Sequence, residues 1–208
     1  MVIKMITTIY LIRHSISFKE HKGKTNTNET ILIENEKLPL SIAGEKLAKE
    51  KSLQKEFKNL DIVYSSNYVR AMATAKYFAN VNNLKVNIDE AFNERIHGVD
   101  KWNELPQEFE LMQFKDEHYK VGYGENQKEV QTRMFNALMK LLNENKGKRI
   151  AIISHSTAIA FLLKKWCEVY YNKEYKFKNT VFFNGKWEHL QSFKLEFNDN
   201  ELINIQVI

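Results

Sequence analysis

A chain of 208 residues with 43% apolar and 12% aromatic side chains can bury one full hydrophobic core, which excludes disorder over most of its length. Its net charge of +5 at pH 7 is spread along the chain without a basic block or stripe, so a lysine-rich surface accounts for it; an anionic substrate would suit it, and nucleic-acid binding has no patterned support. A single cysteine, Cys167, excludes an internal disulfide and points to a reducing, cytoplasmic setting, and no run reaches the ~18 apolar residues of a membrane span.

The first predicted strand, Thr8 to Ile12, is a short β-rich run that stops on Arg13 and His14 and passes into Ser15, Ile16 and Ser17. It is too short, and too soon followed by charge, to read as a secretory leader. Strand ends of this kind are where open α/β sheets place their chemistry. About twenty mostly polar residues follow, broken by Ile31-Leu32-Ile33, and this long connection from Phe18 to Lys37 reads as an irregular loop over the site.

Pro39-Leu40-Ser41 ends the loop, with Ser41 placed to cap a helix through about Phe57 that buries Ala43, Leu47, Leu53 and Phe57. Gly44, in its first turn, permits close backbone approach. Asp61 to Ser65 is a second strand, after which Ser66 or Asn67 can cap a helix to about Ala79 with Arg70 in its first turn. A third strand is predicted over Leu84 to Ile88, a structured loop over Phe92 to Gly98, and a helix from about Asn103 to Asp116.

Val130, Met134, Ala137, Leu138 and Leu141 recur at helical spacing, which predicts a helix over Glu125 to Leu142. The apolar strand Arg149 to Ile153 repeats the pattern of the first, ending in Ser154-His155-Ser156, and leads into a helix with Ile159, Leu162, Leu163 and Trp166 on one face. From Asn179 onward alternation with turn signals at Asn184-Gly185 and Asn198-Asp199-Asn200 predicts antiparallel strands closing one sheet edge. The alternation of strands and helices predicts an α/β fold, a three-layer α/β/α sandwich with a mostly parallel central sheet in one domain over 1–208. Two parallel neighbours ending at Ile12 and Ile153 would bring His14 and His155 face to face.

Only five of the 31 basic side chains are arginine, so an arginine is most informative where lysine could not replace it. A planar fork gripping two phosphate oxygens is such a place. Arg13 beside His14, and Arg70 at a helix start, fit that role; Arg133 and Arg149 read as structural pairs. A neutral imidazole among cations can attack a phosphoryl group, because nearby positive charge lowers its pKa and leaves a lone pair at pH 7. Arg13, Arg70 and His155 could then surround the equatorial oxygens. Glu94 is the carboxylic acid candidate for the leaving group, although its pattern fits a surface glutamate equally well. The six histidines show no short metal-ligand spacing, so neither a metal nor another cofactor is expected.

Leu11-Ile12-Arg13-His14, Pro39 to Gly44, Tyr64-Ser65-Ser66 with Arg70-Ala71 and Thr74-Ala75, Glu94 with Gly98, and Ile153-Ser154-His155 stand in the order of a known pattern. On these motifs the chain, from about Ile6 to Trp166, resembles the histidine phosphatase superfamily, the phosphoglycerate mutase-like proteins. The resemblance implies His14 as phosphate acceptor, Arg13, Arg70 and His155 as phosphate pocket, Glu94 as proton donor, and a hydroxyl from Ser17. Ser15 and Ser156 depart from the usual glycines, Glu20 stands where many members have asparagine, and the loop before Pro39 is longer than usual. The expected activity is a metal-independent phosphatase acting on a small phosphorylated substrate through a phosphohistidine. Asn93 to Gly98 looks somewhat like the Asn-Glu-Arg-His-Tyr-Gly stretch of cofactor-dependent phosphoglycerate mutases, which keeps mutase-type phosphoryl transfer as an alternative. A phospho-ligand-binding module without turnover is the alternative from another class. Oligomeric state leaves no trace in the sequence.

Overall fold

The computed structural model describes residues 5–18 and 30–208, and its centre is the strand that opens the chain. β1 (Ile6–Arg13) lies between β4 (Arg149–Ser154), its parallel partner, and β7 (Ser192–Asn198), its antiparallel one. β2 (Ile62–Ser65), β3 (Val86–Ile88) and β8 (Glu201–Val207) complete a six-stranded sheet in the order β3-β2-β4-β1-β7-β8. Only β7 runs against the others, because β8 pairs antiparallel to β7 and so returns to the direction of β1.

Both faces of β1 are covered, which is why it reads as an unbroken apolar run. Ile9 and Leu11 join Ile150, Ile152, Phe193 and Leu195 against α5 (Gln127–Glu144) and α6 (Ser156–Leu163). Tyr10 and Ile12 join Val63, Ala151 and Ile153 against α2 (Ile42–Ser52) and α3 (Val69–Val81). Each fully buried large side chain of this kind contributes ~1.5–3 kcal/mol. The three layers and the mostly parallel sheet agree with the sequence reading. Among the described residues no helix is long and apolar enough to cross a membrane.

Several local expectations are corrected. Residues Ile31–Lys37 form a helix, α1, so the second half of the expected irregular loop is regular; residues 19–29, including Glu20, lie outside the described residues. α2 buries Gly44, Ala48 and Ser52, while Ala43 and Leu53 are exposed, and Phe57 reaches the core from a separate 3-10 turn, Lys55–Phe57. Ser41 caps α2 as expected, its Oγ accepting from Gly44 N at 3.0 Å. A Cβ on Gly44 would stand 2.1 Å from Ile16 O, so the close approach expected there is real. Tyr68 is the N-cap of α3, without a side-chain cap.

The helix expected over 103–116 is a 3-10 turn, Trp102–Glu104, followed by α4 (Phe109–Lys115). Pro106 lies between them; it lacks an N–H, and residues before a proline are biased away from helix. α5 carries a capping box in which Asn126 Oδ1 accepts from Glu129 N and Glu129 Oε2 accepts from Asn126 N, at 2.8 and 2.9 Å. In the tail, β5 (Tyr175–Phe177) and β6 (Thr180–Phe183) form their own two-stranded sheet, so β7 and β8 alone close the edge.

Candidate active site

β1 and β4 end in register, Arg13 opposite Ser154, and His14 N donates to Ser154 O at 2.9 Å. The ring centroids of His14 and His155 are consequently 5.2 Å apart, both side chains being buried. Arg70, brought in by the first turn of α3, lies between them. Its Nε donates to His14 Nε2 at 3.0 Å, one Nη donates to His155 Nδ1 at 3.1 Å, and the other donates to the carbonyl of Asn35 in α1. A guanidinium has five N–H donors, so two remain for oxygens of an incoming anion.

These contacts fix both imidazole tautomers. Arg70 can only donate, so each ring presents a lone pair to it. His14 then carries its proton on Nδ1, which donates to Ser15 O at 2.7 Å, and His155 carries its proton on Nε2, which donates to Ser66 Oγ at 2.8 Å. Burial, and after it the charge of Arg70, holds the pKa of both histidines well below the ordinary value. Both rings are neutral at pH 7. Burial pulls Arg70 down to about 10, with Glu94 acting against the shift, and it stays charged at neutral pH.

Glu94 is buried at the amino terminus of α6, just beyond His155. Its Oε1 accepts from Arg95 N and Ala158 N, both at 3.0 Å, and its Oε2 accepts a longer bond from Thr157 N at 3.4 Å. Oε2 is therefore the less engaged oxygen. Helix amino termini favour carboxylates. Arg133 holds the loop carrying Glu94, donating to the carbonyls of Ala91, Asn93 and Glu94 while pairing with Glu125. Glu125 in turn accepts from Ile96 N at 3.0 Å. The structural pairing expected of Arg133 is thus present, and it also ties down the loop that carries Glu94. Arg149, donating to Glu56 O at 2.7 Å, is likewise structural.

Arg13 is anchored by one Nη to the carbonyls of Trp187 and Glu188, each at 3.2 Å. Its buried Nε has no hydrogen-bond partner among the described residues. Such an open donor costs ~1–3 kcal/mol until it is satisfied, which an anion oxygen would do. Ser17 forms a backbone bridge to Leu40, and among the described residues its hydroxyl bonds to neither histidine nor arginine of the cluster. Ser15, in place of the usual glycine, is fully buried, its Oγ donating to Gly44 O at 2.7 Å and its N to Thr74 Oγ1 at 3.1 Å.

Sequence reasoning missed Ser66, Asn35 and the backbone amides of α6. Ser66 stood out as a possible helix cap and as part of the Tyr64-Ser65-Ser66 motif, without a partner assigned to it; it also accepts from Tyr68 N at 3.3 Å. Nothing in the local pattern could announce a partner eighty-nine residues away. Tyr68 also closes on the site, its ring 4.9 Å from that of His155 and 5.0 Å from the Arg70 guanidinium.

Comparison with known proteins gives a family and a fold. A family profile described as histidine phosphatase superfamily (branch 1) matches residues 9–199. No curated protein sequence matches. Among solved structures, the mycobacterial glucosyl-3-phosphoglycerate phosphatase superposes with a TM-score of 0.67 at 16% identity, covering 97% of each chain. A putative alpha-ribazole-5'-P phosphatase from Escherichia coli gives 0.67 at 16%, covering 97% of this chain and 95% of that one. A phosphoserine phosphatase from Entamoeba histolytica, solved with 3-phosphoglyceric acid, gives 0.67 at 20%, covering 96% of each. At these identities the structural likeness speaks for the fold.

Proposed function

The chain belongs to the histidine phosphatase superfamily, and on that premise we propose that it hydrolyses a small phosphate monoester through a phosphohistidine on His14. The observation that carries this reading is the state of His14: a buried neutral ring, proton on Nδ1, with the Nε2 lone pair facing Arg70 at 3.0 Å. The similar structures named as phosphatases of small phosphorylated molecules support hydrolysis over transfer to a second site.

In the first step the Nε–H of Arg70 turns from His14 Nε2 to an oxygen of the arriving phosphate, and the freed Nε2 lone pair forms a bond to phosphorus as the ester P–O bond breaks. Glu94, protonated on Oε2, gives its proton to the leaving oxygen. Arg70 supplies its two remaining N–H groups and Arg13 its open Nε to the equatorial oxygens. His155 can join them once Arg70 releases its Nδ1, which then takes a proton from the arriving phosphate monoanion and donates it back as a hydrogen bond. In the second step water attacks phosphorus, Glu94 takes its proton, the N–P bond breaks, and the lone pair returns to His14. Because Arg13 and Arg70 bring the positive charge that a metal could bring, the reaction is proposed to need no metal ion. The single cysteine fits work in the reducing cytoplasm.

The nucleophile and the acid standing together support turnover over mere binding of a phosphorylated ligand. The mutase alternative rested on Asn93 to Gly98, where His97 takes the tyrosine position. Its ring packs 5.0 Å from Trp102 and 6.0 Å from Phe109. Release of inorganic phosphate from a panel of esters tests the proposal, with 3-phosphoglycerate and its bisphosphate cofactor included to detect isomerisation. His14→Ala is expected to abolish both release and acid-labile phosphoryl labelling. Labelling that survives in this variant places the nucleophile elsewhere.

A further inference from the structure

Beside Arg13 and the first turn of α6 lies a cleft of about 440 Å³ whose lining includes Phe114, Thr157, Tyr171, Lys186 and Trp187. Two of these residues join it to the chemistry. Arg13 brings the guanidinium with the open Nε, and Thr157 brings the amide that holds Glu94 Oε2. The alternation along β1 explains the placement, since Arg13 continues the face of Ile9 and Leu11, on the α6 side of the sheet. An alkoxide leaving phosphorus beside Glu94 therefore departs toward this cleft. Resting on the phosphatase reading, the walls of the cleft describe the alcohol.

The volume lies within the ~300–1,000 Å³ of sites that enclose a small organic molecule, and is generous for a three-carbon acyclic alcohol. Aromatic rings approach it from two sides. Phe114 and Tyr171 pack at 5.5 Å with a tilt of 51°, and Tyr175 and Trp187 at 6.4 Å with a tilt of 66°. The Trp187 indole N–H is spent on Tyr175 OH at 3.1 Å, which leaves the indole its apolar surface for contact. Hydrogen-bonding groups stand between the rings: Asn172 and Lys186, both exposed, with Lys186 in no ion pair among the described residues. Glu110 adds a carboxylate held on one side by Arg95 at 2.7 Å.

Apolar ring surfaces alternating with an amide, an ammonium and a carboxylate match a ligand with C–H faces and a rim of hydroxyls. We infer that this cleft seats the alcohol half of the substrate, and that the alcohol is a hydroxylated ring, making the enzyme a sugar-phosphate phosphatase with Tyr171, Lys186 and Trp187 as specificity-determining contacts. The carbonyl of Trp187 that anchors Arg13 belongs to the same residue, so the wall that meets the sugar also sets the phosphate-binding fork.

The test is inorganic phosphate release from three sets of esters: hexose and pentose monophosphates, the acyclic phosphoserine and 3-phosphoglycerate, and nucleoside 5'-monophosphates. Sugar phosphates are expected to show the highest kcat/KM, by about tenfold or more, as one or two ring contacts supply. Tyr171→Ala should cut the ratio of sugar-phosphate to acyclic kcat/KM by about tenfold. Lys186→Met, an exposed substitution that folding tolerates, should lower the same ratio in the same direction. Preference for acyclic esters or for nucleotides, or equal losses on all three sets in both variants, overturns the inference while leaving the phosphatase reading intact. Absence of turnover on every ester removes the phosphatase reading and this inference together.

Discussion

Replacing Arg133 by methionine keeps the reach of the side chain and deletes every bond by which it holds the loop before Glu94. Its ion pair with Glu125 is close to four-fifths buried on both sides, at 23% and 20% exposure, with Nε to Oε1 at 2.8 Å. Breaking a buried pair from one side costs ~3–5 kcal/mol, because the surviving charge is left without its partner. At ~2–4 °C per kcal/mol for a chain of this size, the melting temperature should fall by roughly 6–20 °C. The catalytic consequence is separate: the carbonyls of Ala91, Asn93 and Glu94 lose their common donor, so the loop can shift and only the backbone amides of Arg95, Thr157 and Ala158 still hold the Glu94 carboxyl. A displacement of ~1 Å can cost on the order of 10² in rate. The assay pairs urea unfolding with kcat on an alkyl and an aryl phosphate, because only the alkyl leaving group depends on the proton from Glu94. A stability loss below ~1 kcal/mol, or an unchanged alkyl-to-aryl ratio, would refute the view that Arg133 positions the acid.

Glu94→Gln, read out on the same pair of esters, should slow the alkyl phosphate by on the order of 10²–10⁴ and the aryl phosphate far less; equal losses would deprive Glu94 of its acid role. Gly44→Ala should destabilise by ~1–3 kcal/mol despite the better helix propensity of alanine, since its Cβ would meet Ile16 O at 2.1 Å and must displace the backbone that carries His14. Chemical unfolding measures this, and a neutral or stabilised variant contradicts the close packing. The lowered pKa values of His14 and His155 make stability pH-dependent with a definite sign. Below the unfolded value of ~6.5 the unfolded chain takes up protons that the folded one refuses, so stability is complete above that pH and is lost as pH falls beneath it. Each histidine contributes up to ~1.4 kcal/mol per pH unit, and His155→Gln should remove its share of the slope between pH 7 and 5. A flat profile in the wild type would mean the rings are not held neutral.

What the sequence disclosed follows from how local each signal is. β1 and β4 were legible because strands covered on both faces leave continuous apolar runs, and their ends were marked by abrupt polarity. Arg70 stood out because arginine is scarce in a lysine-rich chain. α1 was illegible: at seven residues it has little intrinsic stability, and it is held by Ile31 N donating to Asp100 O at 3.0 Å and by Arg70 reaching the Asn35 carbonyl. The β5–β6 hairpin was hidden for another reason. Its turn is Lys178-Asn179, with φ of 48° and 64°, a lysine where turn signals are sought, while Asn184-Gly185 drew attention one strand too late. Arg133 was correctly assigned to pairing, but carbonyl partners on a distant loop have no sequence signature.

The position of β1 between β4 and β7 bears on how the molecule comes into being. Residue 9 pairs with residue 150 on one side and with residue 195 on the other, so the strand waits for partners made more than a hundred residues later. Closing contacts over such spans is slow, because the entropy of the intervening chain is lost before any bond rewards it. On a ribosome the strand bearing Arg13 and His14 emerges well before either of its sheet partners. His14 thus gains its buried surroundings only when β4 and β7 have docked on β1.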